Sequence, residues 1–129
     1  MTLKNSKGVD IDYILVYSFG MLEKIFGNKS AEYILLFLYH YGELHASAIA
    51  ESLQTAITPI KNQLERFEEA GVLISKTLGR SRVYAFNPKS PFVKPVRELL
   101  RIAYESIPFH EREKIFSIRR RPRRKGKPL

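Results

Sequence analysis

At 129 residues, 44% of them apolar, the chain has room for one domain with a modest hydrophobic core. It contains no cysteine, which excludes disulfides, thiolate metal sites and cysteine nucleophiles. No stretch approaches the roughly 18 apolar residues of a membrane span, and residues 1–12 lack the apolar segment of a signal peptide, so we expect a cytoplasmic protein without membrane contact.

The formal net charge of +9 is concentrated at the C-terminal end of the chain. Seven of the 22 lysines and arginines follow Phe116, where there is no acidic residue. This leaves 15 basic against 13 acidic residues, a net charge of +2, in the rest of the chain. A basic excess favours an anionic partner such as nucleic acid, but here most of the excess belongs to a tail.

Two helices are predicted at the start of the domain, after a polar segment, 1–10, that is expected to be flexible. The first helix covers residues 11–26, with Asp10 or Asp12 as its cap and Gly27 at its end. The second, 30–41, is so apolar that we expect it at the centre of the domain. The positions predicted to face the core are Ile11, Ile14, Leu15, Leu22, Ile25 and Phe26 in the first helix and Ile34, Leu35, Phe37 and Leu38 in the second.

Residues 42–71 have the pattern of a helix-turn-helix. A short helix is predicted over 42–53, a turn at Gln54 and Thr55, and a second helix from about residue 56 to residue 70, stopped by Gly71. Apolar residues spaced three and four apart predict the stripe of the second helix that faces the core. That stripe consists of Ile57, Ile60, Leu64 and Phe67.

The opposite face of this second helix carries hydroxyl, carboxamide and guanidinium groups, which can read base edges and hold phosphates. An ordinary solvated helix face is the alternative. Acidic residues at 65, 68 and 69 would repel phosphates, but they crowd the C-terminal half of the helix, whereas the N-terminal half usually enters the DNA groove. The candidate contact residues are Thr58, Pro59, Lys61, Asn62, Gln63 and Arg66.

Residues 72–87 predict a β-hairpin, because two runs rich in β-branched and aromatic residues flank a turn at 78–81. Residues 43–45 are compatible with a third short strand. Glycine at position 79 permits a positive φ in the turn. The polar residues around it, Lys76, Arg80, Ser81 and Arg82, are candidates for phosphate or minor-groove contact, with Arg80 at the tip; basic residues also protect an exposed strand edge.

With this helix-turn-helix and hairpin, the segment from about residue 14 to residue 106 resembles the winged helix-turn-helix regulators of the ArsR and MarR-like families. The resemblance implies a mainly α-helical fold with a small β-hairpin, the wing, and with extra N- and C-terminal helices. It also implies that the second helix of the pair enters the DNA major groove while the wing lies along the backbone or minor groove. The expected function is sequence-specific binding of double-stranded DNA by a dimeric transcriptional regulator, with repression the expected effect.

A further amphipathic helix is predicted over residues 91–106, and Pro108 ends it. Its apolar residues in register are Phe92, Val96, Leu99, Leu100, Ala103 and Ile107. Related winged helices use such a terminal helix, together with the first helix, to form a dimer. The resemblance therefore implies a homodimer through these two helices; the alternative is that the helix packs only on its own domain.

The segment 108–129 is predicted to be an extension of the domain, which itself covers residues 11–107. It begins with a short helix anchored by Ile115, Phe116 and Ile118 and ends in a basic tail. Arg121-Pro122-Arg123 resembles an AT-hook, although Arg120 stands where that motif has glycine. A basic arm that adds nonspecific phosphate affinity, an RNA or protein partner, and a solubilising end are the other interpretations. The candidate tail contacts are Arg119, Arg120, Arg121, Arg123, Arg124 and Lys125.

No catalytic or cofactor site is expected. His40, His45 and His110 do not form the histidine and carboxylate pairs used by metal-sensing members of the ArsR family, and there is neither a phosphate loop nor a Ser/His/Asp arrangement. The alternative function is a winged-helix module for protein or RNA interaction whose basic tail binds nucleic acid nonspecifically. The net charge of only +2 outside the tail favours that alternative.

Overall fold

A computed structural model describes residues 19–118 of the chain, with side chains from Leu22 onwards. The predicted beginning of the first helix, 11–18, and the basic tail, 119–129, lie outside the described residues. In chain order the elements are α1 (Phe19–Phe26), α2 (Lys29–Tyr41), β1 (Glu43–His45), α3 (Ala46–Leu53), α4 (Ile57–Glu69), β2 (Leu73–Leu78), β3 (Ser81–Phe86), α5 (Val93–Ser106) and α6 (Phe109–Ile115).

Helix α2 lies at the centre of the domain, as its apolar composition predicts. Its N-terminus is capped by Asn28, whose Oδ1 accepts a hydrogen bond from the backbone N–H of Ala31 at 2.7 Å. Helices α1, α4 and α5 and strands β1 and β3 all contact it. Its buried residues are Ala31, Glu32, Ile34, Leu35, Leu36, Phe37, Leu38 and Tyr41.

Helices α3 and α4 pack against each other as a helix-turn-helix. The turn between them is closed by a bond from the Thr55 N–H to the Ala50 carbonyl at 3.0 Å, with Gln54 in the left-handed conformation at φ 55°. Ile60 and Leu64 of α4 are fully buried, and burying such side chains stabilises a fold by about 1.5–3 kcal/mol each. The predicted core stripe therefore holds α4 against the domain.

The wing is a three-stranded antiparallel sheet in the order β1-β3-β2. Strands β2 and β3 pair from Leu73 opposite Phe86 to Leu78 opposite Ser81, which leaves a two-residue turn. Gly79, at φ +63°, occupies the first position of that turn, where a type II′ hairpin requires a positive φ. The hairpin and its third strand are confirmed.

The end of α4 is tied to the end of the sheet. Gly71 stops the helix at φ +84°, and the N–H of Val72 then donates to the Phe67 carbonyl at 3.0 Å. The side chain of Asn87 donates to the Gly71 carbonyl at 3.0 Å. The backbone N–H of Asn87 also donates to the Val72 carbonyl at 2.9 Å, so two hydrogen bonds join the segment after α4 to the segment after β3.

Helix α5 packs on α2, and α6 follows after Pro108. Leu100, Ala103 and Ile107 are buried, as predicted, and Phe116 is also buried. The mainly helical winged helix-turn-helix, with additional helices at both ends, is thus confirmed. In the span from 19 to 118, no helix is long and apolar enough to cross a membrane.

Three residues that were predicted to face the core are exposed instead: Ile25, Ile57 and Phe92, at 55%, 41% and 63%. Leu22 and Phe26, four residues apart, face α2 and turn Ile25 away from it. Phe92 precedes α5, which begins at Val93 rather than Pro91, because the Phe92 N–H donates to the Ser90 Oγ in a turn. Ile57 lies in the first turn of α4, beyond the edge of the core.

Candidate nucleic-acid interface

The outer face of α4 presents the polar groups that the sequence predicts. Thr58, Asn62 and Arg66 are exposed on the side of the helix opposite Ile60 and Leu64. Pro59 and Lys61 are exposed as well, while Gln63 is half-buried. The placement agrees with the prediction, and whether these residues contact DNA remains a proposal.

The first turn of α4 is open to an anion. It contains no acidic residue, and Ala56 at the N-cap supplies no side-chain hydrogen bond. In this turn the backbone N–H groups of Ile57 and Thr58 have no partner within the helix and carry its positive dipole end, whereas Pro59 has no N–H. A phosphate placed there would accept hydrogen bonds from them.

A groove of about 450 Å³ separates α4 from the wing. It brings together four candidate contact residues from distant parts of the sequence, namely Lys61 of α4 and Arg80, Ser81 and Arg82 of the wing. The other residues that line it are His45, Ala46, Ser47, Ile57, Glu65 and Tyr84. Three cationic side chains on one concave surface form a site that can hold phosphate oxygens.

Six of the ten groove residues are not among the contacts predicted from the sequence, and Ser47 and Ile57 are two of them. Ser47 lies in the first turn of α3, where a hydroxyl can reach a phosphate, and Ile57 lies beside Lys61. Ser47 lies at the start of a helix, but only the pairing of strand Glu43–His45 with the hairpin shows that this helix start lies next to the wing. Ile57 has the spacing of the periodic core stripe, which predicts a buried side chain rather than one at a groove.

A relay of hydrogen bonds orients Arg82 and engages one of the acidic residues of α4. The Arg82 Nη1 donates to the Ser75 Oγ at 2.8 Å, and the Ser75 hydroxyl donates to the Glu68 carboxylate at 2.7 Å. The Glu68 charge is therefore turned toward the wing. Burial, and then the charge of Glu68, raise the pKa of Tyr84, so its phenol stays protonated.

Acidic residues at the groove are few. Glu65 lines it and faces the cationic side chains, so it weakens the attraction for phosphates there. Glu69 is exposed in the last turn of α4, far from the helix start. Of the three acidic residues of this helix, Glu65 is therefore the one that mainly repels phosphates at the groove.

Lys76 is not brought together with the other wing residues. It pairs with Val83 in the register, and its Nζ lies 3.7 Å from the Glu43 carboxylate. Val83 and Tyr84 are neighbours in β3, so they point to opposite faces of the sheet, and Tyr84 is the one that lines the groove. Lys76 therefore belongs to the outer face of the wing.

Among residues 19–118, no group of three or more histidine or acidic side chains is placed to hold a metal ion. His40 belongs to an aromatic cluster instead: its ring stacks on Phe116 at 4.6 Å and bonds to the Tyr104 hydroxyl at 2.8 Å. The six tail residues predicted to contact nucleic acid lie outside the described residues.

No protein-family model matches the chain, and no curated protein matches it. Among solved structures, the chain is similar to the antimony-specific transcriptional repressor AntR. The sequence identity is 21%, the match covers 77% of this chain and 81% of the other, and the TM-score is 0.45. The winged-helix assignment of this chain rests on its own element order and strand register.

Proposed function

We propose that the protein binds double-stranded DNA sequence-specifically, as a homodimeric transcriptional regulator. The observation that carries this proposal is the groove between α4 and the wing, where Lys61, Arg80 and Arg82 converge although the domain as a whole has little excess charge. A convex helix beside a cationic wing matches a major groove and its flanking phosphates in shape and in charge.

Base reading is assigned to the outer face of α4. The carboxamide of Asn62 can pair with N6 and N7 of adenine, and the Arg66 guanidinium with O6 and N7 of guanine or with a phosphate. Neither side chain has a partner among the described residues, so neither must break a contact to bind. Thr58, one turn before Asn62, is placed to contact a thymine methyl group or a phosphate.

The groove and the wing are assigned to the DNA backbone. Lys61 and Arg82 would hold a phosphate between them, and the Arg80 side chain at the hairpin tip would reach the flanking backbone or minor groove. Phosphate contacts fix the register of the protein on the duplex and carry no sequence information themselves. Specificity would then come mainly from α4, and a minor-groove contact by Arg80 would add a distinction between A·T and G·C pairs.

The dimer is assigned to α1 and α5. Ile25 of α1 and Ile102 of α5 are 55% and 52% exposed, although both are large apolar side chains on otherwise well-packed helices. A second copy of the chain would cover them. Two copies related by a two-fold axis would read half-sites about one DNA turn, or roughly 34 Å, apart.

The test is selection from fragmented genomic DNA at about 150 mM salt, a level that reduces nonspecific phosphate binding. We expect enrichment of one inverted repeat, both by the full chain and by a chain that ends at Ile118. The shortened chain keeps every described core residue, since these lie between Leu22 and Phe116.

The competing function is a protein or RNA interaction module. It predicts uniform retention of all fragments by the full chain and none by the chain ending at Ile118, because only the basic tail would then touch DNA. That result would reject the proposed function. Glu65 in the groove is the observation that favours this competitor.

A further inference from the structure

Three side chains form the polar link between α4 and the wing. The Ser75 hydroxyl of β2 donates to the Glu68 carboxylate of α4 at 2.7 Å, and the Arg82 Nη1 of β3 donates to the same hydroxyl oxygen at 2.8 Å. In the part of the chain that the structure describes, no other side-chain hydrogen bond or ion pair connects α4 with β2 or β3. These three residues, called the relay below, therefore tie the helix to the wing directly.

The direction of each hydrogen bond in the relay is fixed by chemistry. A carboxylate only accepts hydrogen bonds and a guanidinium only donates them, so the hydroxyl between them must donate to Glu68 and accept from Arg82. Hydrogen bonds to charged groups are stronger than those between neutral groups. Because Glu68 and Ser75 are half-buried, water competes less for these bonds. The relay therefore favours one arrangement, in which Arg82 is held in place.

The strand register places the relay on the side of the wing that faces the groove. Thr77 is opposite Arg82, and Ser75 is two residues from Thr77, so Ser75 and Arg82 lie on the same face of the sheet. Tyr84, two residues beyond Arg82, shares this face and lines the groove. The Arg82 side chain thus reaches from near the hairpin turn back toward α4, across the groove wall.

Arg82 keeps most of its binding capacity while it is held. A guanidinium has five N–H donors, and within residues 19–118 that of Arg82 makes one hydrogen bond, through Nη1. The side chain is exposed and lines the groove with Lys61. An exposed arginine that is not held must be immobilised when it binds a partner, which lowers the affinity. Since the relay immobilises Arg82 in the folded protein, that loss does not occur on binding.

We propose that Glu68 and Ser75 are positioning residues of the nucleic-acid interface, which hold the Arg82 guanidinium ready for a phosphate while α4 contacts the bases of the same half-site. This inference rests on the proposed function. It gives Glu68, an acidic residue of the helix that reads DNA, a role that strengthens DNA binding. The repulsion between its charge and the phosphates predicts the opposite effect.

The first test removes the relay without changing the charge of the protein. Ser75→Ala should weaken binding of the selected duplex by roughly three- to tenfold, because a long side chain must then be immobilised on binding. Ser75→Thr keeps the hydroxyl, suits a strand and should recover most of the affinity. No loss from Ser75→Ala, or an equal loss from Ser75→Thr, would overturn the inference.

A double-mutant cycle with Arg82→Ala separates positioning from a merely structural role. If Ser75 acts through Arg82, Ser75→Ala should have no further effect on affinity in the Arg82→Ala background. If Ser75 only supports the fold, Ser75→Ala should cause the same loss with and without the Arg82 side chain. The second result would contradict the inference.

The sign of the change at Glu68 is a separate test. Removing a negative charge near phosphates ordinarily strengthens binding, and Glu69→Ala, at an exposed neighbouring position outside the relay, should follow that rule. Glu68→Ala makes the same change of charge but breaks the relay, so it should weaken binding of the selected duplex. Equal gains in affinity from the two variants would show that Glu68 positions nothing.

The relay can also be observed in the protein without DNA. NMR relaxation of the Arg82 Nε–H should show an ordered side chain in the original protein and a mobile one in Ser75→Ala. An Arg82 side chain that is equally mobile in both proteins would overturn the inference and leave the proposed function standing. If the original protein selects no preferred duplex from genomic DNA, the proposed function is rejected and the inference with it.

Discussion

Glu32 is a carboxylate buried in the core, on α2 beside α1. Its side chain is fully buried, and among the described residues neither carboxylate oxygen has a hydrogen-bond partner. Burial, and then the charge of Glu23, raise its pKa from 4.5 to about 9. The folded protein therefore holds a proton at neutral pH that the unfolded chain releases.

Replacing Glu32 by Gln should make the fold more stable at neutral and alkaline pH. Below pH 4.5 the carboxyl is protonated in both states, so its ionisation does not change the stability of the fold. Between 4.5 and about 9 the folded state binds more protons than the unfolded state, so stability falls as pH rises, by up to about 1.4 kcal/mol per pH unit. Urea unfolding from pH 5 to 8.5 should show a gain for Glu32→Gln that grows with pH.

Glu51→Gln is the control, since Glu51 is exposed on α3; it should change stability by no more than about 0.5 kcal/mol at any pH. A Glu32→Gln variant whose stability follows the same pH dependence as the original protein would contradict the raised pKa of Glu32.

Arg80 at the wing tip is predicted to make one phosphate contact. Arg80→Ala should weaken binding of the selected duplex and lower the slope of log affinity against log salt by about one unit. Lys89→Ala removes the same charge about 20 Å away, since a six-residue strand separates the two ends of the hairpin. The salt slope of Lys89→Ala should equal that of the original protein. If the salt slope of Arg80→Ala also equals that of the original protein, Arg80 is not part of the interface.

The surroundings of individual side chains were harder to predict from the sequence than the helices and strands. Ile25 and Ile57 have the spacing of core residues, yet both are exposed: Ile25 is turned away from α2 by Leu22 and Phe26, and Ile57 lies in the first turn of α4, beyond the edge of the core. Periodicity gives the direction of a side chain, whereas coverage depends on the surrounding elements. For the same reason Ser47 could be found at the groove only once β1 was paired with β3.

Helix α4 is held in place by its two fully buried residues. Leu64→Ala should destabilise the fold by about 2–5 kcal/mol, because the cavity sits under the helix where the core is closed. Ile57→Ala removes an apolar side chain from the same predicted stripe and should cost less than about 1 kcal/mol, since Ile57 faces the groove. Denaturant unfolding of both variants checks this, and equal losses would place Ile57 in the core after all.

Helices, hairpin and turns were well predicted because local chemistry specifies them. Gly71 and Gly79 both adopt the positive φ that their positions after a helix and within a hairpin require. The boundaries of α5 were less predictable, since Pro91 is acceptable at a helix start, but a turn held by Ser90 delays the helix to Val93. The groove could not be predicted from the sequence, because its existence depends on the distance between the wing and α4 in the folded domain.

The exposed apolar side chains of α1 and α5 predict that two chains associate through these helices. Ile102→Asp on α5 should give a monomer in sedimentation velocity at tens of micromolar, because a buried unpaired charge is costly in an interface. Ile74→Asp is the matched control: Ile74 is 43% exposed on β2, away from the two helices. A monomer for the original protein, or dissociation by both variants alike, would contradict a dimer through α1 and α5.

The proposed function depends on α4 reading base edges, and repeating the genomic DNA selection with Asn62→Ala tests this most directly. We expect the same inverted repeat, with the preference relaxed at one position in each half-site and retained at the others, because one bidentate pair to a base is lost, worth about 1–3 kcal/mol. An unchanged site, with every preference intact, would show that the outer face of α4 does not read the DNA.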